Sequence, residues 1–170
     1  MSKITLFIAS SLDGFIAREN GEIDWLFTDA DYGYTEFYDS IDTIMMGRKT
    51  YEQILTFPEY PYPGKTAYVF HRSPHLYNHP DVIFINQNLL DFVPNIIPNS
   101  KGIWLVGGGE IFHEFLKLNL IDEIILSIHP IILGTGIRLF LNSPDQINLK
   151  LNASQKYDSG LVQIHYTVMK

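Results

Sequence analysis

Gly102-Ile103-Trp104-Leu105-Val106-Gly107-Gly108-Gly109-Glu110-Ile111-Phe112-His113-Glu114-Phe115-Leu116-Lys117-Leu118 joins an apolar run to a periodic one through three glycines. Residues 102–106 have strand length and are almost wholly apolar. From 110 to 118 the apolar residues fall at 111, 112, 115 and 116, which is helical spacing. Strand, glycine turn and helix in succession form the unit of an α/β sheet. The glycines let the backbone adopt conformations closed to other residues and approach a ligand closely. The helix behind them aims free N–H groups and its positive dipole end at the same place. A pyrophosphate is the natural occupant, although a merely tight turn would read the same. The run is neither the G-x-G-x-x-G fingerprint nor a P-loop.

Two more junctions have a similar form. An apolar strand at 43–46 is followed by Gly47-Arg48-Lys49-Thr50, which places two cations and a hydroxyl where a helix begins. Cations there oppose the dipole by a few tenths of a kcal/mol, which a bound phosphate would offset and a solvated helix start would tolerate. A strand at 66–70 ends in Phe70-His71-Arg72-Ser73: an aromatic ring for stacking, a cation and a hydroxyl. Arginine suits phosphate because its fork makes paired hydrogen bonds. That last junction alone reads equally as a plain polar strand end. Together they fit one extended anion lying beyond the carboxyl ends of an open α/β sheet.

The remaining pattern fits one domain over residues 1–170. Strands are expected at 4–9, 82–85 and 121–128, and helices at 32–40, 48–55 and 89–93, the last ending before Pro94. Asp13-Gly14, Asn20-Gly21 and Gly134-Thr135-Gly136 mark turns. Residues 148–157 and 161–168 read as a closing hairpin around Asp158-Ser159-Gly160. The expected architecture is a central mixed, mostly parallel sheet of about eight strands, about four flanking helices and a C-terminal antiparallel hairpin.

The chain has no cysteine, which excludes disulfides, zinc–thiolate sites and thiol catalysis, and no metal site is expected. A net charge of −7 excludes a general nucleic-acid binder, which needs a basic face. One basic island interrupts that balance: no acid occurs between Tyr60 and Pro80, where Lys65, His71, Arg72, His75 and His79 stand. No apolar run reaches membrane-spanning length. Residues 4–12 are too short for a signal core and run into Asp13-Gly14 without a cleavage site, so a cytoplasmic protein is expected.

Three segments, in order, resemble the dihydrofolate reductases. Ile8-Ala9-Ser10-Ser11-Leu12-Asp13-Gly14-Phe15-Ile16-Ala17, with Gly21 and Trp25, resembles their first strand and mobile loop. Ile44-Met45-Met46-Gly47-Arg48-Lys49-Thr50-Tyr51-Glu52 and Trp104-Leu105-Val106-Gly107-Gly108-Gly109-Glu110-Ile111-Phe112 resemble their two cofactor segments. Within that superfamily, Ser11-Leu12-Asp13-Gly14, Leu120-Ile121-Asp122-Glu123, Pro130-Ile131-Ile132-Leu133-Gly134-Thr135-Gly136 and Leu139-Phe140 resemble the reductase domain of the bifunctional riboflavin-biosynthesis deaminase-reductases. Without cysteine the deaminase zinc motif cannot form, so a stand-alone reductase-type domain is expected.

The resemblance implies a dihydrofolate-reductase-like fold and NADPH as cofactor. Gly47, Arg48, Lys49 and Thr50 would hold its phosphates. Phe70, His71, Arg72 and Ser73 would face its adenosine end. Val106, Gly107, Gly108, Gly109, Glu110 and Ile111 would line the pyrophosphate and nicotinamide side, with Ala9 and Ile16 against the nicotinamide. Glu110 stands where some folate enzymes carry a basic residue. Asp31 is the implied acid, with Asp29 and Glu36 as rivals, and a semi-buried position would raise its pKa. Ser127 would sit across the cleft. The implied activity is hydride transfer to a polarised C=N or C=O carbon of a small molecule, either a pyrimidine ribosylamine of riboflavin synthesis or a pterin-like ring. A non-catalytic NADP-binding module is the other reading. Lys65 replaces the arginine that grips a folate tail, and Lys65, Arg18 and Arg138 are the candidate grips for a substrate phosphate. A homodimer is expected from residues 131–133, the 161–168 strand and the aromatic content, and from the pairing of the resembled domains.

Overall fold

The computed structural model describes residues 1–73, 79–141 and 145–170; His75 of the basic island lies outside them. The strands are β1 (Ile4–Ser11), β2 (Phe15–Ala17), β3 (Thr43–Gly47), β4 (Thr66–Phe70), β5 (Val82–Ile85), β6 (Ile103–Gly107), β7 (Glu123–His129), β8 (Ile137–Arg138), β9 (Leu149–Lys156) and β10 (Val162–Val168). The helices are α1 (Tyr34–Ser40), α2 (Arg48–Ile54), α3 (Leu89–Ile96) and α4 (Gly109–Lys117).

Eight strands form one sheet in the order β5-β4-β3-β6-β1-β7-β10-β9. From β5 to β7 every pairing is parallel. β10 returns antiparallel to β7 and pairs with β9, giving the expected hairpin. The central parallel strands are buried on both faces, so they read as continuous apolar runs, and the two-residue period sorts them. Ile4, Leu6, Met45, Ile103 and Leu105 face Phe92, Val93, Phe112 and Phe115 of α3 and α4. Ile44, Met46, Val69 and Trp104 face Phe37, Tyr51 and Ile54 of α1 and α2.

Two expectations are corrected, and one small element is added to the expected sheet. α3 does not stop before Pro94 but contains it. Its buried Phe92 and Val93, with Ile96 and Ile97 packed against the same core, outweigh the lost backbone bond. The Asn95 side chain also donates to the Asp91 carbonyl at 2.6 Å. α1 begins at Tyr34, not Tyr32, because Tyr32 (φ 52°) and Gly33 (φ 77°) are left-handed. β2 and β8 form a separate two-stranded ribbon too short to show any periodicity.

That ribbon is fastened to the sheet by Asp13. The Ser11 hydroxyl donates to its carboxylate at 2.6 Å, and the N–H groups of Leu133 and Gly134 donate at 3.1 and 2.8 Å. These donors, the Ser11 hydroxyl foremost, hold the Asp13 carboxyl down at about 2. A carboxylate lowered on folding contributes stability that is full above its ordinary value near 4 and is lost as pH falls from there through about 2. Asp13→Asn should therefore unfold at lower temperature than wild type at neutral pH, with the gap closing through that acid window. A gap independent of pH would contradict this role.

Candidate functional site

The carboxyl ends of β3, β4 and β6 lie side by side, with Gly47 opposite Phe70 and Met46 opposite Gly107. All three junctions therefore meet on one edge of the sheet. Gly107 (φ 137°) and Gly108 (φ 98°) occupy backbone conformations that L side chains rarely adopt. A Cβ on Gly108 would stand 2.9 Å from the Thr50 hydroxyl. A Cβ on Gly109 would stand 2.7 Å from the Arg138 carbonyl oxygen. The Thr50 hydroxyl donates to the Gly107 carbonyl at 3.0 Å, joining the two glycine junctions, and Ile111 packs on Gly47. α4 begins at Gly109, so its first N–H groups open on this cradle.

The charges here are mutually arranged. Lys49 bonds Glu110 at 2.7 Å and Arg48 bonds Glu52 at 2.8 Å. Lys49 foremost, with Arg72 and Arg48 adding, holds the Glu110 carboxyl below its usual range. The acid at 110 thus clips α4 to α2. Arg72 is exposed and has no ion pair among the described residues. His71 accepts the Ser73 N–H at 2.7 Å, shaping that strand end. Phe70 is not a free stacking platform: its ring packs edge-on against Phe92 and Phe115 in the core.

Beside the cradle lies a cleft of about 370 Å³, lined by Phe7, Ile8, Ala9, Leu26, Phe27, Ala30, Asp31, Tyr32, Tyr34, Ser127, His129 and Leu161. Ile8 belongs to both places, since a Cβ on Gly107 would meet its Cδ1 at 3.0 Å. Ala9 pairs with Ser127 in the β1–β7 register, putting small side chains on the floor. Gln163 donates to the Ser127 hydroxyl oxygen at 3.0 Å and to the Tyr32 carbonyl at 2.9 Å. That leaves the Ser127 O–H free to donate. Ile16 packs against the core cluster beneath.

Asp31 and Ser127 line this cleft together, but Asp31 is not the semi-buried, raised acid expected. It is exposed, and the Thr35 hydroxyl at 2.5 Å foremost, with the Thr35 N–H at 3.2 Å, holds its carboxyl below the usual range. It is an anion at neutral pH. Tyr32, next to it, is strained in the left-handed region. It is held by its hydroxyl bonds to Asp29 and Ser159 at 2.7 and 2.9 Å and by Gln163.

His129 was missed by the sequence reading. It is 4% exposed, and burial foremost pushes its pKa below the usual histidine value. The signal was its place two residues after Ser127, on the same face of the strand. Lys65 and Arg18 are committed elsewhere. Lys65 donates to the Tyr38 and Ile41 carbonyls at 2.8 and 2.7 Å, closing the end of α1. Arg18 is held by both oxygens of Asp24. The Arg138 guanidinium lies 5.2 Å over the Phe15 ring.

Sheet order, glycine cradle and adjoining cleft define an α/β protein of the dihydrofolate-reductase-like fold. The model of the RibD C-terminal domain matches residues 2–93 and 97–163, and the chain belongs to that family. It is similar to the uncharacterized protein YwjB of Bacillus subtilis (strain 168), with 41% identity covering 96% of this chain and 97% of that protein. Among solved structures, a protein of Shewanella sp. PV-4 provisionally named for riboflavin biosynthesis superposes with a TM-score of 0.88 at 27% identity, covering 99% of each chain. The dihydrofolate reductase of Enterococcus faecalis, complexed with NADP(H), superposes with a TM-score of 0.75 at 17% identity, covering 99% and 97%, a likeness of fold. No helix of the described residues is long and apolar enough to cross a membrane.

Proposed function

We propose that this chain is an NADPH-dependent reductase of a small heterocyclic substrate, of the kind used in riboflavin synthesis. The observation that carries this reading is the junction at Ile8, where the glycine turn at the head of α4 adjoins an aromatic cleft. The residues present fit a dinucleotide phosphate. Gly107 and Gly108 take backbone conformations that side chains rarely adopt, the first N–H groups of α4 start there, and Lys49, Arg72 and Arg48 all act on Glu110 at the head of that helix. NADPH, when bound, supplies a hydride.

Gly107, Gly108 and Gly109 would hold the pyrophosphate by backbone, and Arg72 would take the 2′-phosphate. In the cleft, Phe7, Phe27 and Tyr34 would offer apolar ring surface to a flat substrate and exclude water. The Ser127 hydroxyl would donate to the heteroatom of the C=N or C=O being reduced and polarise it. Ionised Asp31 orients N–H groups and favours positive charge as it develops there. With its carboxyl lowered, it suits that role better than storing a proton at neutral pH. The test is NADPH oxidation, followed by nicotinamide absorbance, with the aminopyrimidine ribosylamine of riboflavin synthesis. Turnover is expected, and saturable NADPH binding without turnover would favour a non-catalytic module.

Dihydrofolate is expected to be a poor substrate. The lysine at 65 already serves the α1 carbonyls, so a glutamate tail has no forked grip there. A kcat/KM of about 10⁴ M⁻¹s⁻¹ or more with dihydrofolate would overturn that expectation.

The same reading includes a homodimer. β9 is exposed along its whole length at the edge of the sheet, and Ile132, Leu149 and Leu151 are exposed apolar side chains. Light scattering should give twice the chain mass. A monomer at micromolar concentration would contradict it.

A further inference from the structure

The stretch from Trp25 to Asp31 carries four cleft residues, Leu26, Phe27, Ala30 and Asp31, yet forms neither helix nor strand. Its far end is held at Tyr32 by Gln163 and Ser159. Its near end is held by a side chain from across the sheet. Nε2 of His129 accepts the Phe27 N–H at 3.2 Å, and the His129 ring meets Trp25 edge-on at 5.2 Å and Phe27 at 4.9 Å. A backbone N–H can only donate, so Nε2 carries no proton. The ring proton sits on Nδ1, which faces the Ser127 carbonyl at 3.4 Å.

We propose that His129 is a positioning residue: its neutral ring latches the 25–31 segment, and with it one wall of the cleft, onto the end of β7, and protonation releases it. The proposal rests on the reductase reading only for what the cleft would hold. An imidazolium would set a second N–H against the Phe27 N–H, two donors with no acceptor between them. Among the described residues, the ring's neighbours supply no charge to compensate. On β1 the register partner is Ser11, on β7 the neighbour is Ser127, before β10 it is Leu161, and on the loop they are Trp25 and Phe27. The titratable groups of the cleft are engaged otherwise: Asp31 with Thr35, and the Tyr32 hydroxyl with Asp29 and Ser159. Tyr34 stacks on Tyr38. Asp13, beyond Ser11, is bonded by Ser11, Leu133 and Gly134. Burial accordingly pushes the histidine below its ordinary range. A histidine lowered in this way favours the latched form above the ordinary histidine pKa, and that advantage is lost as pH falls through the lowered value.

The test is an NMR pH titration of the cofactor-free protein, following the His129 ring and the Phe27 amide. The Phe27 amide should shift and lose its protection from hydrogen exchange at the His129 midpoint, below the ordinary histidine value. His129→Gln offers an oxygen acceptor that does not titrate, so it should keep the amide protected throughout. His129→Ala should lose protection at every pH. If the alanine variant fails to fold, the wild-type titration and the glutamine variant carry the test. A Phe27 amide indifferent to the His129 midpoint, or a transition that persists in His129→Gln, would overturn the proposal. NADPH takes no part in this measurement, so failure of the reductase reading would leave its result standing.

Discussion

Gly109→Ala is expected to lower both the unfolding temperature and the affinity for NADPH. The added Cβ would stand 2.7 Å from the Arg138 carbonyl oxygen, a backbone atom that cannot rotate aside. Retreat of β8 is opposed by its ties to the Gly14–Phe15 segment. Arg138 pairs with Phe15 of β2, and the N–H of the buried Leu139 donates to the Gly14 carbonyl at 2.9 Å. The start of α4 must therefore give way, and its first N–H groups move off the cradle. Overpacking of this kind costs about 1–3 kcal/mol, or roughly 2–12 °C in a chain of this size. Misplacing the phosphate donors should weaken NADPH by tenfold or more. Differential scanning calorimetry and an NADPH titration of the same variant check both, and wild-type values in both would refute the close approach.

Arg72→Ala should weaken NADPH by tenfold or more and leave NADH nearly unchanged. Arg72 is the exposed cation on this edge whose guanidinium has no ion pair among the described residues, whereas Lys49 and Arg48 face Glu110 and Glu52. Its charge nonetheless reaches Glu110, which places it beside the cradle. A charge-assisted bond to a phosphate is worth about 1.5–3 kcal/mol, and 1.4 kcal/mol is a factor of ten. NADH lacks the 2′-phosphate and should lose almost nothing. Equal losses for the two cofactors would move Arg72 from the 2′-phosphate to the pyrophosphate or to a structural role.

The cradle was legible because its signals are local: an apolar strand, glycines and a helix follow one another within a few residues, and the parallel sheet brings three such ends together. The cleft was legible only in part. Asp31 could be located only through the resemblance to the folate enzymes, and its pKa is set by Thr35, whose hydroxyl reaches the carboxylate across the left-handed turn at Tyr32 and Gly33 that precedes α1. Lys65 reads as a free cation along the chain, and only the fold brings the end of α1 to its ammonium group. His129 sits next to a loop from the other end of the chain, and no periodicity announces a hydrogen bond between residues 102 apart. Pro94 shows the same limit from the other side, since the core contacts that keep α3 helical are not local.

Calorimetric titration of the wild-type protein with NADPH and then with NADH tests the central claim most directly. The account predicts saturable binding of one NADPH per chain, tighter than NADH by tenfold or more. Absence of NADPH binding, or equal affinity for the two, would contradict it.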